Sequence, residues 1–196
     1  MKYGTIVADP PWPITWSGGR RKAGKSSGST KTHDKKPLPY STMDLAAIVA
    51  LPVGSLAADD SLLFLWTVDR YVMDGSAATV VRAWGFYPLP HLLIWSKRNP
   101  GLGTELAPAH EPVMVGRRGS ARLARRVPTV NEWRQPYENG AKLHSAKPDG
   151  AFDLFLEVGP GPHLELFARR QRLGWDSWGN ECRCDVSLGG DAGNGT

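Results

Sequence analysis

The residues best suited to chemistry stand near the start of the chain, where Asp9-Pro10-Pro11-Trp12 follows an apolar run over residues 3–8. The run is typical of a buried strand, so Asp9 is expected at a strand end. The two prolines fix the next backbone units as an extended turn, and neither has an N–H to donate. The Asp9 carboxylate and the Pro10 carbonyl form an acceptor-only pair, which suits a target with two N–H bonds, such as an exocyclic amine.

This pair favours activation of an aromatic amine. Hydrogen bonds accepted from both N–H groups move the nitrogen lone pair out of conjugation with the ring and towards an electrophile, and Trp12 offers a flat face on which a base can stack. The chemistry needs neither a metal ion nor a covalent intermediate, and Cys182 and Cys184 are too few to hold zinc. The alternative is a structural role, with a rigid strand-to-loop turn and Trp12 in the core.

A second pattern follows shortly after the first. Residues 19–26 read G-R-R-K-A-G-K-S, a literal match to the phosphate-binding G-x-x-x-x-G-K-[ST] sequence. A phosphate loop needs a strand before it and a helix after it, so that backbone N–H groups and the helix dipole face the phosphates. Neither element is predicted here, because prolines precede the pattern and residues 27–36 are rich in Gly, Ser and Lys. We interpret it as part of a basic loop, which disfavours an ATPase.

The distribution of charge indicates a polyanionic partner. The chain has 196 residues and a formal net charge of +5, and its positive charge is concentrated in two segments. Residues 17–39 and 117–146 are predicted as basic substrate-binding loops, the second through Arg122, Arg125 and Arg126. The alternative is that both are simply solvated loops. No run reaches the roughly 20 apolar residues of a membrane helix and no signal peptide is visible, so a cytoplasmic protein without membrane contact is expected.

Elements of alternating type must position these residues. The predicted strands cover residues 3–8, 61–67, 91–97, 112–116, 163–167 and 175–178, and the predicted helices cover residues 45–51, 69–84 and 149–158. This alternation predicts an α/β fold with a largely parallel sheet between helices. Ligands bind at the carboxyl ends of such strands, where Asp9, Lys97 and Arg169 fall. Residues 1–184 are predicted as one domain and residues 185–196 as a flexible Gly-rich tail.

Beyond these patterns, the chain resembles the S-adenosylmethionine-dependent N6-adenine methyltransferases with a DPPW motif, relatives of the catalytic subunit of the eukaryotic mRNA N6-adenosine methyltransferase. Further blocks match in the family's order: YSTMDLAAI (40–48), LLFLWT (62–67), AWGF (83–86), LIWSK (93–97), HEPVMVGRRG (110–119), HSAKPD (144–149) and LELFARRQRLGWDSWGNE (164–181). The resemblance implies a short bacterial or phage-type member. It also implies a Rossmann-like methyltransferase fold, with a mostly parallel sheet flanked by helices and a permuted motif order.

The resemblance implies S-adenosylmethionine as cofactor and a role for each matching position. The implied catalytic residues are Asp9 and Pro10, which hold the amine, with Pro11 and Trp12 beside the base pocket. The implied cofactor residues are Asp9 near the positive end, Lys147 at the carboxylate, Arg169 and Glu181 at the ribose, and Asn180 at the adenosine part. Lys97, expected to meet phosphate, and Glu111, expected to order the target loop, complete the substrate set. Residues 170–172, Arg-Gln-Arg, depart from the His/Asn type of some relatives.

The predicted function is therefore transfer of a methyl group to the N6 amine of adenine in DNA. The base would be flipped out of the duplex, at a cost of a few kcal/mol that contacts to the phosphate backbone offset. The alternatives are an RNA N6-adenosine methyltransferase and a catalytically inactive nucleic-acid-binding partner subunit. The protein is expected to be a monomer or a homodimer, and the sequence does not distinguish between the two.

Overall fold

The structure, a computed structural model, describes residues 1–13, 42–99, 106–138, 141–142 and 146–189. The strands are β1 (Tyr3–Ala8), β2 (Ala57–Trp66), β3 (Tyr87–Ser96), β4 (His110–Arg118), β5 (Val130–Asn131), β6 (Tyr137–Glu138), β7 (Ala141–Lys142), β8 (His163–Leu166) and β9 (Asp176–Trp178). The helices are α1 (Leu45–Ala50), α2 (Asp69–Met73), α3 (Ser76–Ala83) and α4 (Asp149–Val158). The phosphate-loop pattern and the whole of the predicted loop 17–39 lie outside the described residues.

Seven strands form one sheet in the order β5-β3-β4-β2-β1-β8-β9. Strand β1 lies at its centre, parallel to β2 and to β8, and β9 is parallel to β8. Strand β5 is parallel to β3, whereas β4 is antiparallel to both of its neighbours. The predicted α/β class with a mostly parallel sheet is confirmed. Because β4 runs against the others, its amino end lies at the same edge as the carboxyl ends of β1, β2, β3 and β8.

Each face of the sheet has its own hydrophobic core, because helices cover the sheet on both sides. Ile6 and Ala8 of β1 pack into the core beneath α1 and α3. Val7, which points to the opposite face, packs into the core beneath α4 with Phe155. All six residues of β1 are buried, so the end of this strand is held in place on every side. The longest described helix, α4, has ten residues, and no described helix is long and apolar enough to cross a bilayer.

Three predicted boundaries are wrong. The predicted helix 69–84 is two helices, because Gly75 has φ +79° and the Asp74 side chain accepts from the Ser76 N–H at 2.9 Å, which starts α3 afresh. The basic segment predicted from residue 117 begins with Arg117 and Arg118 still inside β4, and it contains short strands. The predicted tail does not begin at residue 185, since Leu188 is only 3% exposed within the first core.

Candidate active site

A cavity of about 530 Å³ lies at the carboxyl ends of β1, β2 and β8. Its volume falls within the range of small-molecule sites, roughly 300–1,000 Å³. The walls come from seven parts of the chain: Asp9, Pro10, Pro11, Trp12, Thr42, Met43, Thr67, Val68, Glu111, Lys147, Phe167, Ala168, Arg169, Trp178, Gly179, Asn180 and Glu181. The structure therefore brings together all of the predicted catalytic and cofactor residues and one of the predicted substrate residues, Glu111.

The Asp-Pro-Pro-Trp segment is a tight turn at the end of β1. The Pro10 carbonyl accepts from the Trp12 N–H at 2.8 Å, and the Pro11 carbonyl accepts from the Met43 N–H at 2.8 Å. The Pro10 carbonyl, predicted as an acceptor for the amine, therefore already accepts one hydrogen bond within the turn. A carbonyl oxygen has two lone pairs, so one remains for a ligand, and the bond from Trp12 fixes its direction.

Trp12 lines the cavity from a fixed position in the core. Its ring stacks on Tyr71 with centroids 4.9 Å apart, and its indole N–H donates to the Trp66 carbonyl at 2.9 Å. Tyr71 in turn donates its hydroxyl to the Pro13 carbonyl at 2.8 Å. With one face covered and only 4% of the residue exposed, Trp12 anchors the turn. Trp12 therefore packs in the core, as expected if its role were structural. The predicted stacking of a base on its open face stays a prediction.

Four charged side chains form a chain of ion pairs along the cavity wall. The Lys147 ammonium donates to Asp9 Oδ2 at 2.6 Å and lies 3.5 Å from Glu111 Oε2. The other oxygen of Glu111 accepts from Lys97. Lys97 directly follows β3 and Glu111 is the second residue of β4, and the antiparallel pairing of these strands brings the two close together. With Asp9 ionised, the cluster has two positive and two negative charges, so each of these partly buried charges has a partner.

Burial and these contacts set the charge state of each group. Burial raises the pKa of Asp9, and the ammonium of Lys147 offsets only part of that rise. Burial lowers the pKa of Lys147, but the carboxylates of Asp9 and Glu111 outweigh it and raise the pKa above its ordinary value. Burial also raises the pKa of Glu111, which Lys147 and Lys97 together reverse to a net lowering. Lys147 and Glu111 are therefore charged at neutral pH, and Asp9 is the group whose charge depends most on what binds beside it.

The opposite wall of the cavity follows β8 and β9. Arg169 Nε lies 3.5 Å from Glu181 Oε1, across the space between the two strand ends. The Ala168 N–H donates to the Trp178 carbonyl at 2.9 Å, which holds these ends together. A Cβ on Gly179 would lie 2.1 Å from the Ala168 carbonyl oxygen, so this position requires glycine. The approach brings Arg169 and Glu181 within reach of one ligand.

Some wall residues were not predicted from the sequence. Phe167 has φ +62°, a left-handed conformation that is rare for a bulky residue and that turns the chain into the cavity directly after β8. Its ring meets Trp178 edge-on, with centroids 5.3 Å apart. Thr67 and Met43 also line the cavity. The sequence gives no sign that a phenylalanine will adopt a left-handed backbone angle. Thr67, by contrast, ends a predicted strand, so the expectation that ligands bind at the carboxyl ends of strands could have identified it, as it did Asp9.

The structure does not bring Arg122, Arg125 and Arg126 to the cavity. They follow the carboxyl end of β4, which opens at the opposite edge of the sheet because β4 is antiparallel. Arg125 makes two hydrogen bonds of 2.7 Å to the Glu157 carboxylate near the end of α4. The structure therefore places these arginines away from the cavity, and the prediction that they bind the substrate stays a prediction.

Comparison with known proteins gives one family. The model of the MT-A70 family matches residues 3–181. The type II methyltransferase M.MunI from Mycoplasma sp is 31% identical over 191 residues, which cover 92% of this chain and 78% of that protein. The N(6)-adenosine-methyltransferase MT-A70-like from Arabidopsis thaliana is 29% identical, with 91% and 24% covered. The N(6)-adenine-specific methyltransferase METTL4 from Mus musculus is 28% identical, with 91% and 37% covered. The chain thus spans most of the Mycoplasma relative and well under half of these two eukaryotic relatives.

Proposed function

Since the chain belongs to the MT-A70 family of methyltransferases, with the family's Rossmann-like, mostly parallel sheet, we propose that it transfers a methyl group from S-adenosylmethionine to the N6 amine of adenine in DNA. The observation that carries this proposal is the position of Asp9. Its carboxylate lies at the wall of a ligand-sized cavity, next to the Pro10 carbonyl, whose direction is fixed. It contacts the partly buried Lys147, and Asn180 and Glu181, which could bind a nucleoside, line the same cavity.

The residues present fit S-adenosylmethionine. The cofactor carries a carboxylate, a positively charged sulfur and a nucleoside, and when bound it supplies an electrophilic methyl group on that sulfur. Lys147, which is charged at neutral pH, would hold the carboxylate, and Asp9 would lie near the positive charge. Asn180 and Glu181 offer an amide and a carboxylate for the nucleoside, with Arg169 beside them. Two opposite charges about 4 Å apart attract by on the order of 4 kcal/mol at an effective dielectric of 20, before desolvation is subtracted.

Asp9 and Pro10 would act on the amine by accepting its two N–H bonds. Lys147 donates a hydrogen bond to one oxygen of Asp9. Because a carboxylate has about four lone-pair sites, Asp9 can still accept a hydrogen bond from the amine. Methyl transfer would form a nitrogen–carbon bond while the sulfur–methyl bond of the cofactor breaks and leaves a neutral thioether, and the positive charge that develops on the amine nitrogen would be lost as a proton to solvent. A fixed carboxylate and a fixed carbonyl beside that nitrogen stabilise the developing charge without having to reorganise. The prolines contribute by holding both acceptors still.

The proposed substrate predicts a preference between matched oligonucleotides. Incubation with cofactor labelled at the methyl group is expected to label adenine in DNA and to leave RNA of the same sequence largely unlabelled. The DNA proposal rests on the resemblance to short bacterial and phage-type members. Label in RNA alone would contradict the DNA proposal and support the alternative, an RNA N6-adenosine methyltransferase. Binding of the cofactor without label in either would indicate the inactive partner subunit.

Two arginines at the catalytic edge of the sheet are expected to hold the DNA backbone. Arg98 follows β3 and Arg134 follows β5, and the carboxyl ends of these parallel strands lie at the catalytic edge. The Trp133 carbonyl accepts from the Trp95 indole at 2.8 Å, which fixes the chain just before Arg134. Both arginines are exposed. Each is expected to neutralise about one phosphate, so replacing either with alanine should reduce the salt slope of DNA binding by about 1.

The matched control for this prediction is the pair R122A and R126A. These arginines are equally exposed but lie at the opposite edge of the sheet. Titrations of labelled DNA at several salt concentrations are expected to give the wild-type slope for both control variants. A slope reduced by the control variants and unchanged in R98A and R134A would place the DNA on the opposite edge and contradict the proposed docking.

A further inference from the structure

The segment Arg170-Gln171-Arg172 departs from the pattern of some relatives. Its last residue, Arg172, makes a set of ionic and aromatic contacts that takes no part in the proposed reaction. Arg172 Nε donates to Glu165 Oε2 at 2.9 Å, and its Nη1 donates to Asp149. The guanidinium also lies over the ring of Phe152, 3.7 Å from the centroid. The side chain is only 14% exposed, so its contacts are largely shielded from water. One residue therefore contacts a strand, the start of a helix and an aromatic ring at once.

The partners of Arg172 connect two walls of the cavity. Asp149 is the first residue of α4 and stands two residues after Lys147. Glu165 belongs to β8, which leads directly to Arg169. The guanidinium thus ties the segment that carries Lys147 to the strand that delivers Arg169. Arg170 also bonds Asp149, but both of these side chains are more than half exposed, and that pair is weaker for this reason.

We propose that Arg172 is a positioning residue: by binding both Asp149 and Glu165 it fixes their relative positions, and so holds Lys147 at the cofactor site. The inference rests on the proposed function, because it assigns Arg172 a role in binding the cofactor through Lys147. The planar fork of arginine can bond two carboxylates in fixed directions, which lysine cannot reproduce. A displacement of about 1 Å in a binding group can cost on the order of 100-fold in activity, so a residue that sets its position affects binding without touching the ligand.

The surroundings of Arg172 allow it to be replaced without unfolding the protein. Burial raises the pKa of Glu165 to about 7, and the nearby Arg172 offsets only part of that rise. In a variant that lacks the guanidinium, Glu165 is therefore expected to take up a proton near neutral pH, which avoids a buried unpaired charge. Asp149 is 59% exposed and is solvated when its partner is removed.

The test is equilibrium binding of S-adenosylmethionine to the full chain, measured by calorimetry, which does not require turnover. R172M and D149N are expected to weaken binding by about 10-fold or more, and R172K is expected to fall between them and the wild type. In turnover, KM for the cofactor should rise by the same factor with kcat within about threefold of the wild type. R125M is the matched control, because it removes an arginine that pairs with the other end of α4, far from the cavity.

A double-mutant cycle separates positioning from general structure. If Arg172 acts through Lys147, R172M should weaken cofactor binding far less in the K147M background than in the wild type. Additive losses, or equal losses in R125M and R172M, would overturn the inference, and so would unchanged binding in both R172M and D149N. Cofactor binding that follows the expected pattern in a protein that methylates no nucleic acid would support the positioning role and contradict the proposed reaction.

Discussion

Replacing Asp9 with alanine is expected to lower the rate of methyl transfer by about 10²–10³-fold or more, the usual cost of removing one preorganised group that stabilises charge in a transition state. The variant loses one of the two acceptors that hold the amine and the only negative charge of the Asp-Pro-Pro-Trp turn. It should remain folded, because β1 is buried on both faces by apolar contacts and Lys147 keeps Glu111 as a partner. The rate is measured with labelled cofactor at saturating DNA, and the fold by circular dichroism.

The Asp9 prediction has a matched control on α4. Asp153 is an exposed aspartate of that helix, and D153A is expected to have wild-type activity. The variant D9N keeps an acceptor oxygen but no charge, so its rate should lie between those of D9A and the wild type. Turnover in D9A within tenfold of the wild type would exclude the proposed mechanism, because no other residue of the turn can supply a second acceptor of this strength.

The strand positions could be predicted because they depend on local pattern. The apolar run 3–8 is β1 with every residue buried, and its end places Asp9 at the cavity as expected. The same rule placed Lys97 at the right edge. It could not show that Lys97 and Glu111 meet, because that contact depends on β4 pairing antiparallel with β3, and strand direction has no local signal. Lys147, Asn180 and Glu181 were found only through the family resemblance.

The distance of the predicted substrate arginines from the cavity has one physical cause, the direction of β4. A run of arginines shows that a segment is basic but not which edge of the sheet it occupies. Arg122 and its neighbours would have reached the catalytic edge if β4 were parallel to β2, and they lie at the other edge because it is antiparallel. Similarly, the Gly-rich composition after residue 184 indicates a mobile tail, yet Leu188 packs against the core because a single apolar side chain is enough to hold a short segment.

Replacing Lys147 with methionine is expected to weaken cofactor binding and also to change the pH dependence of the reaction. Methionine keeps much of the volume of lysine but cannot hold the cofactor's carboxylate. A hydrogen bond to a charged group contributes about 1.5–3 kcal/mol, so KM for S-adenosylmethionine should rise by roughly 10–100-fold. Steady-state rates at varied cofactor concentration give this value, and K2M, at an exposed lysine remote from the cavity, should leave it unchanged.

The pH dependence follows from the contacts of Asp9. Burial already raises the pKa of Asp9, and Lys147 is the strongest influence that lowers it, while the charge of Glu111 raises it further. Without Lys147 the pKa of Asp9 must therefore rise. Since the ionised carboxylate is the active form, activity is lost as pH falls through this pKa, and the acid limb of kcat/KM should lie at higher pH in K147M than in the wild type. An acid limb at the same pH in both proteins would mean that Lys147 does not control the charge of Asp9, and that their 2.6 Å contact is broken in the form of the enzyme that reacts.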